Sequence, residues 1–209
     1  MAISLPNSVM IHVPKTGGSW CRMALKAANV PHTELNRPNG MGARHEGIDK
    51  VWSHVQGRFT FGFARNPITW LQSRWAYTAR SRGGRRLPFW STDFNEWVVA
   101  VLTHRPGFVC HAMIRRLGYR LVDGQWKAGE HPVDFVGKTE NLVDDFVRAL
   151  SLAGEEFDEE IIRQQLPQKV CSRNPKWQER TQYQPEVLKM VVEVNQPIFE
   201  LFEYREVIP

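Results

Sequence analysis

Two short stretches of this 209-residue chain carry the residue types needed to grip anions. The first is Pro14-Lys15-Thr16-Gly17-Gly18-Ser19-Trp20, placed between a β-branched apolar run and a segment of helical composition. Glycines let a backbone approach an anion closely, and the amides at a helix start point toward it. Lys15 adds a point charge, and the hydroxyls of Thr16 and Ser19 add donors. This is an anion cradle in the style of a P-loop, yet not a Walker A motif, because its lysine precedes the glycines. Taken alone, the stretch also fits an ordinary turn with two glycines. The second is Arg65-Asn66-Pro67, followed by Ser73 eight residues after the arginine. An arginine at the carboxyl end of a parallel strand lies on the face where α/β proteins bind ligands. Its guanidinium can hold a phosphate through two hydrogen bonds, with a serine of the following helix as a further donor. Two anion sites at two strand ends suit one ligand with separated phosphates.

The elements that position these residues can be read from pattern. Ser8 to Val13 is a buried strand that stops at Pro14, and helical composition begins at Ser19. His12 falls inside that strand and reads as a packed core histidine. Residues 29–57 are mostly loop, with a short helix near Ile48 to Val55. Phe59 to Ala64 is a second buried strand. Asn66 then caps a helix that Pro67 opens, with Ile68, Leu71 and Trp75 as its core stripe. Ser73, about 200° round from Leu71, points away from that stripe. The arginine-rich segment 80–86 is a loop expected to move. Asp93 to His104 and Val109 to Leu117 read as helices, Asp134 to Gly137 as a strand, and Asn141 to Ala153 as a helix. Pro185 opens the last helical region, which Pro197 must kink or divide. Strands alternating with helices predict an α/β fold: a single domain over 1–209 with a mainly parallel central sheet flanked by helices.

Composition sets outer bounds. A net charge of +5 and a pI near 9.3 favour anionic partners. Arg74, Arg80, Arg82, Arg85 and Arg86 concentrate the excess. Glu155, Glu156, Asp158, Glu159 and Glu160 form an acidic stretch that reads as a solvated surface. Three scattered cysteines, Cys21, Cys110 and Cys171, argue against a disulfide framework and against zinc, and for a reducing compartment. No stretch approaches a membrane span and the N-terminus lacks the features of a signal peptide, so a cytoplasmic protein is expected.

The motifs resemble those of sulfotransferases that use 3′-phosphoadenosine-5′-phosphosulfate (PAPS). HVPKTGGSW is similar to their 5′-phosphosulfate loop, and FARNPITWLQSRW to their 3′-phosphate motif. Asp134-Phe-Val-Gly-Lys-Thr-Glu-Asn-Leu142 resembles the V-G-R/K-x-E-N-L element of the carbohydrate-modifying branch. Cys171-Ser172 and the segment from Tyr183 to Tyr204 resemble that branch's C-terminal end. The resemblance implies a P-loop-like fold, PAPS as donor and 3′-phosphoadenosine-5′-phosphate as product. Lys15, Thr16, Gly17, Gly18, Ser19 and Trp20 would surround the 5′-phosphosulfate, and Arg65 and Ser73 would hold the 3′-phosphate. Arg173 and Lys176 could close over the nucleotide or simply face solvent. By the same resemblance a histidine precedes the arginine strand, and His45, twenty residues before Arg65, is the favoured base. His54 comes second, and Glu46 could orient the imidazole.

In this reading Lys15 neutralises charge growing on the bridging oxygen as the sulfuryl group leaves, and His45 takes the acceptor's proton. No metal is implied, since lysine and arginine supply the positive charge that Mg²⁺ gives a phosphotransferase. The acceptor is a glycan, glycolipid or small metabolite with a hydroxyl or amine. Three alternatives stay open. One is a small-molecule kinase using ATP, against which the missing upstream glycine counts. Another is a non-catalytic nucleic-acid-binding protein, suggested by the charge and by eight tryptophans. The third keeps the nucleotide but has lost turnover.

Overall fold

The computed structural model describes residues 2–35, 47–80, 89–167 and 175–204. The first elements are β1 (Ala2–Ser4), β2 (Ser8–Ile11), α1 (Gly18–Ala27), β3 (Thr33–Leu35), α2 (Ile48–Val55) and β4 (Phe59–Ala64). Then follow α3 (Pro67–Arg80), α4 (Phe94–His104), α5 (Phe108–Met113), β5 (Tyr119–Val122), β6 (Gln125–Ala128) and β7 (Phe135–Lys138). The rest are α6 (Leu142–Leu152), α7 (Glu159–Gln164), α8 (Pro175–Arg180), α9 (Pro185–Val194) and α10 (Gln196–Leu201). The chain sorts into two compact units, one of Met1–Arg65 with Ala112–Gln168 and one of Asn66–His111 with Lys169–Pro209.

The first unit is an α/β sandwich around a five-stranded sheet in the order β3-β1-β2-β4-β7. The sheet is mixed. β2, β4 and β7 run parallel on one side, while β1 pairs antiparallel with both β2 and β3. Phe61 and Phe63 point to one face, where they join Met10, Trp20, Leu25, Phe146 and Ile162 in the core. Helices α1, α6 and α7 supply that layer. On the opposite face a methyl on Gly62 would strike Leu117 Cδ2 at 2.5 Å, and Ile11, Ile48 and Val55 are fully buried. At the amino end of β2 the Glu155 carboxylate accepts from the Ser8 hydroxyl at 2.6 Å and the Asn7 amide at 3.0 Å. Glu155 is therefore buried, which corrects the expectation of a wholly solvated acidic stretch; Glu156, Asp158, Glu159 and Glu160 are exposed as expected. β5 and β6 form a separate hairpin around Asp123 and Gly124, both with left-handed φ (51° and 76°), the geometry of a two-residue type I′ turn.

The second unit is helical. Asn66 accepts from the Ile68 amide at 2.9 Å, so the expected cap at the start of α3 is made. Asp93 caps α4 through the Glu96 amide at 2.9 Å. Trp70, Leu71, Trp75 and Ala76 are buried on α3, and Phe94, Trp97, Val98 and Val101 on α4. The Trp75 ring contacts Trp90, Phe94 and Trp177 within 6.0 Å between centroids, and the Arg180 guanidinium lies 5.0 Å over it. Pro197 divides the last helical region as expected, with α9 ending at Val194 and α10 starting at Gln196. Ile68 is only half-buried and Ser73 is buried, contrary to the expected stripe. The helix is covered on more than one side, so a single apolar face does not describe it. Among the described residues no helix is long and apolar enough to cross a membrane.

Candidate functional site

Within the first unit, the carboxyl ends of β2, β4 and β7 lie side by side, because Ile11 pairs with Gly62 and Ala64 with Lys138. Each end delivers a basic residue: Lys15 in the loop after β2, Arg65 directly after β4, and Lys138 as the last residue of β7. All three are half-buried. Carboxyl ends of parallel strands are where open α/β sheets take their ligands.

The loop after β2 reverses the chain by two left-handed residues, Lys15 at φ 67° and Gly17 at φ 93°. For lysine that conformation costs about 1–2 kcal/mol, so the surrounding contacts must hold it there. One of them is the Thr16 hydroxyl, which donates to the Val13 carbonyl at 2.9 Å. Thr16 is consequently buried, and its hydroxyl serves the loop rather than a ligand. Gly17 also sits where a side chain has no room, since a methyl there would lie 2.5 Å from Leu142 Cδ2. Its carbonyl accepts from the Trp20 and Cys21 amides at 2.8 and 3.1 Å, which starts α1. The first turn of α1 holds no acidic residue, so nothing in the helix itself offsets its positive end. Ser19 is exposed in that turn. Trp20 turns inward, packs edge-on against Phe146 and donates its indole N–H to the Gln165 carbonyl at 2.8 Å. Its side chain belongs to the core.

Arg65 is held on two sides. Its amide donates to Met113 Sδ at 3.4 Å, and its guanidinium donates to the Lys15 carbonyl at 3.1 Å. The two sequence motifs therefore meet through one hydrogen bond. Next to them the Lys138 amide donates to Asp145 at 2.6 Å, and the Thr139 hydroxyl donates to the Ala64 carbonyl at 2.8 Å. Asp145 is thus engaged by backbone. Such an edge suits a ligand carrying several negative charges.

Ser73 belongs to the second unit, where it lies buried on α3. Its neighbour Arg74 is half-buried, with no hydrogen-bond partner for Nε among the described residues, and burial lowers its pKa from the usual arginine value. His45, Glu46, Arg173 and most of the arginine-rich segment lie outside the described residues, as do the side chains of His54 and Lys176. Of the other histidines, His32 bonds the Val30 carbonyl at 2.8 Å, His104 stacks on Phe89 and His131 on Trp52.

His12 is the residue that pattern reading misplaced. β2 ends at Ile11, so His12 lies in the loop and is half-buried, whereas Ile11 and Val13 on either side are buried. Its imidazole covers Gly18, the first residue of α1. A methyl on Gly18 would lie 2.5 Å from His12 Nε2 and closer still to Cδ2. The six-residue spacing to Gly18 is present in the sequence, but it gains meaning only because β2 ends at Ile11 and not at Val13. Compared with known proteins, the chain matches no family model, no curated protein and no solved structure, so its chemistry has to be argued from these residues.

Proposed function

We propose that this chain is a PAPS-dependent sulfotransferase on a P-loop-like domain, moving a sulfuryl group to a hydroxyl or amine of a glycan, glycolipid or small metabolite. The observation that carries the reading is the hydrogen bond from the Arg65 guanidinium to the Lys15 carbonyl. It joins the two motifs that the sequence assigns to opposite ends of one nucleotide. The donor fits the residues present: a glycine-lined turn, an uncompensated helix start, and basic side chains from three neighbouring strand ends. In this reading Lys15 and the first amides of α1 bind the 5′ end and Arg65 the 3′-phosphate.

The acceptor oxygen or nitrogen forms a bond to sulfur as the bond from sulfur to the bridging phosphate oxygen breaks. Negative charge collects on that oxygen, and Lys15 stabilises it in place. A base, with His45 favoured, takes the acceptor's proton. A single pocket for both reactants contributes by proximity.

The test is thermal unfolding with 3′-phosphoadenosine-5′-phosphate or with ATP and Mg²⁺. A ligand at a hundred times its dissociation constant adds about 2.7 kcal/mol of stability. The bisphosphate should raise the melting temperature, and transfer from PAPS should then be sought across acceptors. A shift with ATP and Mg²⁺ alone would overturn the reading in favour of a kinase.

A further inference from the structure

We infer that His12 is a second ligand-contacting side chain of the cradle, donating a hydrogen bond to the anionic 5′ end of the nucleotide beside Lys15. The inference rests on the donor reading above. Three observations on His12 lead to it. The ring has left the sheet ladder, because β2 stops one residue earlier. Met10, two residues before His12, packs in the core layer that α1 supplies. Finally, the Nε2 edge of the ring lies against the first residue of α1, where the helix amides that have no carbonyl in their own helix are found.

Gly18 makes the same point from the other side. Its backbone is not left-handed, so no turn geometry demands glycine there. The imidazole does, since it occupies the space a side chain would take. A histidine always presents at least one ring N–H. An apolar side chain of similar bulk would fill the space over Gly18 equally well, but only the imidazole adds a donor at the mouth of an anion loop. The half-buried state agrees, for a histidine enclosed by the core would be as covered as Ile11 and Val13.

The experiment measures binding of 3′-phosphoadenosine-5′-phosphate and of adenosine 3′-monophosphate, which lacks the 5′ group, by titration calorimetry. The proteins are the wild type, Lys15→Ala, His12→Leu and His12→Gln. Leucine keeps bulk without a donor, and glutamine keeps an N–H near the position of Nε2. A hydrogen bond to a charged group corresponds to a loss of about tenfold or more when removed. His12→Leu should lose that much for the bisphosphate and nothing for the monophosphate, with His12→Gln close to wild type. Equal binding by His12→Leu and wild type, while Lys15→Ala is weakened, overturns the His12 role and leaves the donor reading standing. Weakening of both nucleotides alike by His12→Leu also overturns it, because the effect would then be structural. A wild type that binds neither nucleotide removes the donor reading, and the His12 role with it.

Discussion

Gly17 offers the sharpest test of how the cradle is built, because two separable penalties meet there. At φ 93° an alanine would pay the left-handed strain of an L-residue, about 1–2 kcal/mol. Its methyl would also lie 2.5 Å from Leu142 Cδ2 and 2.9 Å from Cδ1. Leu142 is only 6% exposed, so it cannot swing into solvent, and overpacking of this kind costs about 1–3 kcal/mol. Gly17→Ala should therefore destabilise by about 2–5 kcal/mol, read from urea unfolding with the slope held constant. Leu142→Ala removes the obstacle and costs about 2–5 kcal/mol by itself, as buried leucines do. In the double variant the steric part vanishes while the backbone strain stays. The cycle should show a coupling of about 1–3 kcal/mol, the two costs summing to more than the pair. A single variant within 1 kcal/mol of wild type, or strictly additive costs, would refute the reasoning.

Two further outcomes follow from buried groups. Burial pushes the Cys110 thiol up to about 11 from 9.0, so its folded pKa lies above the unfolded one. The stability it contributes is intact below pH 9 and lost by pH 11, about 2–3 kcal/mol over that window; the stability difference between wild type and Cys110→Ala should fall across the window, and a flat difference would refute it. Trp20→Phe leaves the Gln165 carbonyl without its indole donor and should cost about 1 kcal/mol or more; an unchanged melting temperature would show that the bond contributes nothing.

The parts of the fold legible in sequence are those in which local and tertiary demands agree. Phe59–Ala64 is apolar except for Thr60 because it is covered on both faces, and Asn66 with Pro67 announces α3 by capping chemistry alone. The short strands gave no such signal. β1 and β3 have three residues each, and they exist through antiparallel pairing with each other and with β2, which no local window contains. The β5–β6 hairpin does carry a local signal, Asp123-Gly124 between alternating residues. At the site, Lys15, Gly17 and Arg65 were readable because their chemistry is tied to spacing. His12 and Lys138 were not assigned, because their roles depend on where β2 stops and on which strand ends are neighbours. Trp20 and Thr16 were drawn toward the ligand by their motif, yet the Gln165 and Val13 carbonyls hold them inside.

Each unit is assembled from two separated stretches of chain, and the second closes across long sequence intervals: Gln72 to Thr181 and Tyr183 to Ile68, both at 2.9 Å. On a ribosome adding about 5–20 residues per second, α3 and α4 emerge with Trp70, Trp75 and Trp97 several seconds before their helical partners are made. Throughout that interval α3 and α4 lack the later helices of their own unit, whereas the last strand of the first unit, β7, is made before α8 begins. Synthesis is thus ordered, with every strand of the five-stranded sheet made before the helical unit can be completed.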